Sequence, residues 1–113
     1  MSVNVSKPTP ELIEVVDSAF FYARRLFHPD DIRYSIRDRF HTNASFSLTD
    51  EEAYFLYRLL DAFRKNLLRT IRETPKGLDG YRFATSSQPL TEALLDEIGY
   101  SPQEFDTQFF DSL

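Results

Sequence analysis

The hydrophobic pattern is most regular between Thr49 and Thr74, where it predicts one long helix. Apolar residues recur there at steps of three and four positions, which places them on one face of a helix. This stripe consists of Ala53, Leu56, Leu60, Phe63, Leu67 and Ile71. The first half of the segment is apolar almost all round, which is typical of a helix with several neighbours. We therefore predict that the rest of the chain packs around this helix.

Both ends of the long helix carry recognisable signals. Thr49 can accept a hydrogen bond from a free amide of the first turn, and Glu52 completes a capping box with it. Acidic residues follow the start and basic residues precede the end, which matches the direction of the helix dipole. Pro75 and Gly77 then predict where the helix stops.

An earlier helix is predicted from its own start signals, Thr9 as the cap and Pro10 at the first position. It is expected to run to about Phe27, with one apolar stripe on Leu12, Val16, Ala19, Ala23 and Leu26. Residues 1–8 are interpreted as a flexible lead-in. Because Val3 and Val5 alternate with polar residues, a short edge strand is the other reading of that stretch.

The stretch after Pro29 fits two structures. The four-residue spacing of Ile32, Ile36 and Phe40 favours a helix that begins at Pro29. The alternation of Ile32, Tyr34 and Ile36 is also typical of a strand. We favour the helix because its start signals are good.

Two segments are predicted as loops, residues 41–48 and residues 77–88. In the second, Tyr81 and Phe83 alternate with other residues, so a short strand could form there. That strand could pair with residues 32–36 if these were extended, which would give a minor two-stranded ribbon.

Residues 89–113 are predicted to form an acidic pair of helices. Leu90, Leu94 and Ile98 recur at four-residue steps, and Gly99 is expected to end the first helix in a left-handed conformation. The predicted fold is therefore mainly α: one domain, with four or five helices bundled around the long central helix and at most a minor ribbon.

Length and composition narrow the class of protein further. A chain of 113 residues is expected to fold as one domain. It contains no Cys, which excludes disulfides, thiol nucleophiles and thiolate metal sites and fits a reducing compartment. No apolar run predicts a membrane span, and no signal peptide is recognisable. We therefore expect a small soluble protein of the cytoplasm.

The net charge of −5 is distributed unevenly along the chain. Residues 1–44 are neutral, residues 45–76 carry +1 and residues 77–113 carry −6. An acidic last third can meet a basic partner. We favour an internal explanation, in which this third packs against the basic half of the long helix.

Candidate catalytic chemistry is sparse. The two histidines, His28 and His41, would lie about 20 Å apart on a common helix and could not share a metal. His28 is expected to meet carbonyl groups at the end of the preceding helix. The sequence has no phosphate-binding loop, calcium loop or recognisable nucleophile. We therefore predict no catalytic residue, no metal, no cofactor and no enzymatic activity.

The candidate sites are surfaces. The chain has 11 Phe and 6 Tyr, and aromatic residues are enriched at protein interfaces. The predicted partner-binding residues lie on the last acidic segment: Phe105, Phe109, Phe110 and Leu113. A basic stripe on the long helix could bind anions: Arg58, Lys65, Arg69 and Arg72. Nucleic acid is not the favoured ligand because the pI is about 4.9.

The functional hypothesis is a small acidic protein-binding module that acts by surface complementarity, as an adaptor, a chaperone-like protein or an inhibitor. Its partner would be another protein, and self-association into a homo-oligomer fits the same reasoning. The alternative is binding of nucleic acid or phosphate through the basic stripe. A cofactor-free enzyme is the least favoured class.

Overall fold

The longest element of the structure is helix α3 (Asp50–Glu73), and the predicted central helix is thereby confirmed. Its capping box is present: Thr49 Oγ1 accepts from the Glu52 amide at 3.2 Å, and Glu52 Oε1 accepts from the Thr49 amide at 2.9 Å. Its buried side chains belong to Ala53, Tyr54, Phe55, Leu56, Leu59, Leu60, Phe63 and Leu67. They cover more than one face, as expected for a helix with several neighbours.

The computed structural model describes residues 2–99. This part of the chain contains four α-helices and a two-stranded antiparallel sheet, so the predicted mainly helical fold with a minor ribbon is confirmed. The elements besides α3 are β1 (Ser2–Val5), α1 (Pro10–Tyr22), a 3-10 turn (Arg24–Leu26), α2 (Tyr34–Phe40), β2 (Phe46–Thr49) and α4 (Asp79–Ile98).

The core lies where α1, α4 and the sheet meet α3. Helix α4 returns along α3 and makes the most extensive helix contact, while α1 packs against α2, α3 and α4. Phe20 of α1 stacks at 6.1 Å between ring centroids on Phe55 of α3, and both are fully buried. Burial of such aromatic side chains supplies much of the stabilising apolar area in a small chain.

The prediction of a flexible lead-in at residues 1–8 is wrong for Ser2–Val5, which form β1. Val5 is fully buried, and the side-chain oxygen of Asn4 accepts from the Ser47 hydroxyl at 2.8 Å. The other reading of this stretch, a short edge strand, is therefore correct. One side of the strand packs against α3, which favours the alternation of apolar and polar residues.

The two strands of the sheet are not the two segments that the sequence indicated. Strand β1 pairs with Phe46–Thr49, which lies at the end of the predicted loop 41–48 and runs directly into the cap of α3. Residues 34–36 and 81–83 are both helical, so the predicted pairing between them is wrong. Leu48, opposite Val3, is fully buried at the start of α3 and explains why this segment is extended.

The predicted loop 77–88 is also wrong, because α4 begins at Asp79 and continues through Pro89. A proline inside a helix costs about 3 kcal/mol, since its ring clashes and an amide donor is lost. Here Ala84, Ser87 and Thr91 are buried on the face toward the core, and this packing offsets the cost. The first helix of the predicted acidic pair is thus the second half of α4.

Helix α4 ends as predicted at Gly99, which has φ of +78° and donates to the Leu95 carbonyl at 3.0 Å. The left-handed conformation favours glycine because it has no Cβ. The second helix of the predicted pair falls on residues 101–113, which lie outside the described residues.

The first two helices are shorter than predicted. Helix α1 ends at Tyr22 rather than Phe27, and the chain continues as the 3-10 turn. The second segment is helical rather than extended, but α2 begins at Tyr34 instead of Pro29 and leaves Ile32 84% exposed. His28 does not meet helix carbonyls as expected: its Nδ1 accepts the amide of Asp30 at 3.2 Å.

Candidate functional site

A groove of about 890 Å³ is bordered by all four helices of the described chain. We call it the aromatic groove. It is lined by Glu14, Asp17, Ser18, Phe20, Phe21, Tyr22, Arg24, Tyr34, Arg37, Asp38, His41, Phe63, Asn66 and Phe83. Six of these residues are aromatic. Its size is within the range of about 300–1,000 Å³ that is usual for ligand sites.

Three aromatic side chains of this groove are open to solvent. Phe21 is 64% exposed, Tyr22 44% and Phe83 37%. Phe20 and Phe63 lie beneath them and are buried. Tyr22 stacks on Phe63 at 5.9 Å between centroids, so the exposed rings rest on the core. The groove thus offers an apolar surface on a rigid base.

Two arginines fix the aromatic walls of the groove. The Arg24 guanidinium lies 4.0 Å from the Phe21 ring centre, and its Nη1 donates to the Phe21 carbonyl at 2.9 Å. The Arg37 guanidinium lies 4.7 Å from the Tyr34 ring centre. Cation–π contacts of this kind hold a ring and a charge in one arrangement. Each contact therefore pairs one ring of the groove with one guanidinium group.

The remaining rim is polar and contains a contact between helices. His41 Nε2 lies 2.8 Å from Asp17 Oδ1, which ties the end of α2 to α1. Both side chains are about half exposed. In the described chain Asp17 is the only side chain that hydrogen-bonds this imidazole, and no hydroxyl is positioned by it. The pair therefore acts as a tie between helices and does not form a nucleophile–base pair.

A second groove of about 730 Å³ lies beside α2, β2 and the start of α3. We call it the ion-pair groove. It is lined by Asp31, Ile32, Arg33, Ser35, Ile36, Arg39, Thr49, Glu51, Glu52 and Phe55. Its only strongly exposed apolar side chain in the described structure is Ile32, and isolated exposed apolar residues are common on protein surfaces.

Each arginine of the ion-pair groove is matched by a carboxylate. Arg33 binds Asp31 through both Nε, at 2.8 Å, and Nη2. Arg39 binds Glu52 in the same bidentate manner, with Nη1 to Oε1 at 3.0 Å. Bidentate pairs are among the stronger charge-assisted hydrogen bonds. The charges of both arginines are therefore neutralised by carboxylates within the fold.

These contacts shift the ionisation of both acids. The hydrogen bond from Arg33 lowers the pKa of Asp31 from 3.8 to about 2, although partial burial opposes the shift. The hydrogen bond from Arg39 lowers the pKa of Glu52, and the backbone amide of Thr49 adds to this effect. Both acids remain ionised well below neutral pH and hold their arginines.

The basic stripe predicted on α3 is partly neutralised. Lys65 Nζ lies 3.2 Å from Asp61 Oδ2, and Arg58 is half-buried. Burial raises the pKa of Asp61, but hydrogen bonds from Arg64 and Lys65 outweigh it and lower the pKa overall. Arg64 also approaches Glu92 of α4 at 4.0 Å, a contact of the kind expected between the basic helix and the acidic last third.

The other two residues of the stripe are exposed near the end of α3. Arg69 donates to the side-chain oxygen of Asn66 at 2.8 Å, and Arg72 lies 3.9 Å from Glu73. The structure does not gather the four basic residues into one cluster free of acids. Anion binding by Arg58, Lys65, Arg69 and Arg72 stays a prediction.

The partner-binding residues predicted from the sequence, Phe105, Phe109, Phe110 and Leu113, lie outside the described residues. The aromatic groove was not predicted. Its signal was present in Phe21 and Tyr22, two large apolar residues that fall outside the main apolar stripe of α1. Phe83 could not be found, because it was assigned to a loop.

Comparison with known proteins assigns no family. No protein-family model matches the chain, and neither a curated protein nor a solved structure matches it significantly. Among residues 2–99, no three His, Asp or Glu side chains come together in a way that could hold a metal ion. Each helix in that range is too short or too polar to span a lipid bilayer.

Proposed function

We propose that this protein is a protein-binding module and that the aromatic groove is its binding surface. The observation that carries the proposal is the exposure of Phe21, Tyr22 and Phe83 on one concave face. Aromatic residues supply many of the side chains that dominate binding energy in protein interfaces. They also lose little conformational freedom on binding, because each has only two side-chain torsions.

The energetic argument concerns water at the groove. The three exposed rings together present about 200–350 Å² of surface, taking roughly 150–250 Å² for a whole aromatic side chain. At about 25 cal/mol per Å², covering that area favours association by roughly 5–9 kcal/mol before the cost of immobilisation. A partner that fills the groove with an apolar side chain recovers this free energy.

The rim defines the chemistry of the partner. Glu14 and Asp38 are exposed acids, and Arg24 is an exposed base on the same groove. A partner is therefore expected to combine an apolar side chain at its centre with charges of both signs around it. The absence of Cys from the chain suits a reducing compartment, and we place this activity in the cytoplasm.

The test is affinity capture from native lysate, comparing two single variants. Phe21→Ser removes the most exposed ring of the aromatic groove, whereas Ile32→Ser removes an even more exposed apolar side chain from the ion-pair groove. We expect the proteins retained by the wild type to be lost with Phe21→Ser and kept with Ile32→Ser. Equal retention by both variants would contradict the proposal.

A further inference from the structure

We infer that the partner in the aromatic groove is a second copy of this chain, packed antiparallel through α1 about a twofold axis. The inference rests on the proposed function of the groove and names its occupant. It comes from the order of charges along the exposed face of α1.

That face begins with the acids Glu14 and Asp17, continues through Ser18 and Phe21, and ends with a basic residue; Asp17 is tied to His41. Glu14, Ser18 and Phe21 follow one another at steps of four and three positions, so they lie on one side of α1. Arg24 follows immediately after the helix and lines the same groove. From Glu14 to Arg24 the face is about 15 Å long at 1.5 Å per residue.

Such an order is complementary to itself when reversed. A twofold axis near the middle of the face places Glu14 of one copy opposite Arg24 of the other, and the same contact occurs a second time by symmetry. Arg25, also exposed, adds positive charge at the same end. A parallel arrangement would instead bring like charges together.

The centre of the face accommodates the bulky rings. With Glu14 opposite Arg24, Phe21 of one copy lies opposite Asp17 of the other, on the turn that also carries Ser18. Ser18 is small and half-buried at the groove, so the ring can approach the helix closely. The two Phe21 rings then enter the two grooves, and Tyr22 and Phe83 are covered as well.

The charges of the rim favour a copy over an unlike partner. A surface made for a strongly acidic or strongly basic protein is expected to carry one sign of charge. This rim carries both signs, with Glu14 and Arg24 toward opposite ends of the α1 face and Arg37 and Asp38 on α2. The exposed rings supply about a third of the roughly 800 Å² per partner that a stable interface buries, so a stable dimer also has to bury the surface around them.

The decisive experiment exchanges charges between two single variants. Glu14→Arg carries Arg at both ends of the face, and Arg24→Glu carries Glu at both ends. Each variant alone places like charges together twice, so we expect its dimer dissociation constant to rise roughly tenfold or more. An equimolar mixture restores both opposite-charge contacts, so we expect a heterodimer as tight as the wild type.

Sedimentation equilibrium over a range of concentrations measures the dimer dissociation constant of the wild type, of each variant and of the mixture. Circular dichroism confirms that each variant is folded. The inference is overturned if the wild type stays monomeric at high concentration, a result that needs no variant. It is also overturned if the variants dimerise alone or if their mixture does not. A monomer whose Phe21→Ser variant still loses a captured protein would leave the proposed function standing and remove only self-association.

Discussion

The two grooves of this protein are similar in size but differ in the contacts that their arginine and aromatic side chains make. In the ion-pair groove both arginines are held by carboxylates within the fold, and Phe55 at its base is fully buried. In the aromatic groove the rings of Phe21 and Tyr22 are exposed, and Arg24 stacks on one of them. In the ion-pair groove the charged groups satisfy one another, whereas in the aromatic groove the rings of Phe21 and Tyr22 stay in contact with solvent, which is why we propose it as the binding surface.

The same residue types therefore serve two purposes. Arg33 lies 5.5 Å from the ring centre of Phe55 but is fixed by Asp31, so its charge is used locally. Arg24 lies over Phe21 and donates only to a backbone carbonyl within the described chain. An arginine that is paired with a carboxylate inside the fold, such as Arg33, has a structural role. An arginine without such a pair in the described chain, such as Arg24, keeps its charge for a contact at the surface.

The largest expected difference between the grooves concerns their phenylalanines. Phe55→Ala should lower the free energy of unfolding by about 3–5 kcal/mol, because it leaves a cavity between buried rings. Phe21→Ala should change it by less than about 0.5 kcal/mol when measured at concentrations where the protein is monomeric, because the ring of a single chain is mostly in water. Urea denaturation followed by circular dichroism measures both. Similar losses for the two variants would show that Phe21 is part of the core.

The next effect concerns the carboxylate shared by the cap and the ion pair. Glu52→Ala removes the bond to Arg39 and one half of the capping box, so we expect a loss of about 1–3 kcal/mol. Glu51→Ala is the matched control, since Glu51 is exposed one position earlier in the same turn. Thermal unfolding should place the Glu52 variant several degrees below the control. Equal midpoints would mean that the ion-pair groove contributes little to stability.

A third effect appears with pH. The folded pKa values of Asp31, about 2, and of Glu52 lie below their ordinary values, so each acid adds stability that is complete above its unfolded pKa. This stability is lost as pH falls from about 5 toward 2. Urea midpoints at pH 7 and pH 3 should therefore differ less for Asp31→Asn than for the wild type. An unchanged difference would exclude Asp31 as a source of the acid sensitivity.

The smallest effect is expected at the rim of the aromatic groove. His41 and Asp17 are both about half exposed, and polar contacts that are this exposed are worth about 0–1 kcal/mol. His41→Ala should therefore shift the free energy of unfolding by less than about 1 kcal/mol. A loss comparable to that of Glu52→Ala would make this groove structural as well and would erase the contrast between the two.

The sequence predicted those helix ends that are marked by capping, proline or glycine residues close by in the chain. The cap at Thr49 and the stop at Pro75 directly flank the periodic stripe of α3, so the ends of this helix could be read from the sequence. The left-handed end at Gly99 was predictable for the same reason. Strand β1 depended on a partner 43 residues away, as in the pairing of Asn4 with Ser47, and alternation alone could not identify it.

The site could not be predicted because it is assembled from separate helices. Pro89 suggested a loop before it, but packing of Ala84 and Thr91 outweighed the cost of proline and made this segment helical. That change places Phe83 on α4, where it lines the same groove as Phe21 and Tyr22 of α1. Sequence periodicity shows which residues leave the core stripe, but only the packing of helices shows which of them meet.

Site-specific photocrosslinking tests most directly the claim that a protein docks on the aromatic groove. A photoreactive phenylalanine analogue replaces Tyr22 in one preparation and Ile32 in another, so that each groove carries one probe. The account predicts crosslinked species, of twice the chain mass or with another protein, from position 22 and none from position 32. Crosslinks from position 32 alone, or from neither position, would contradict it.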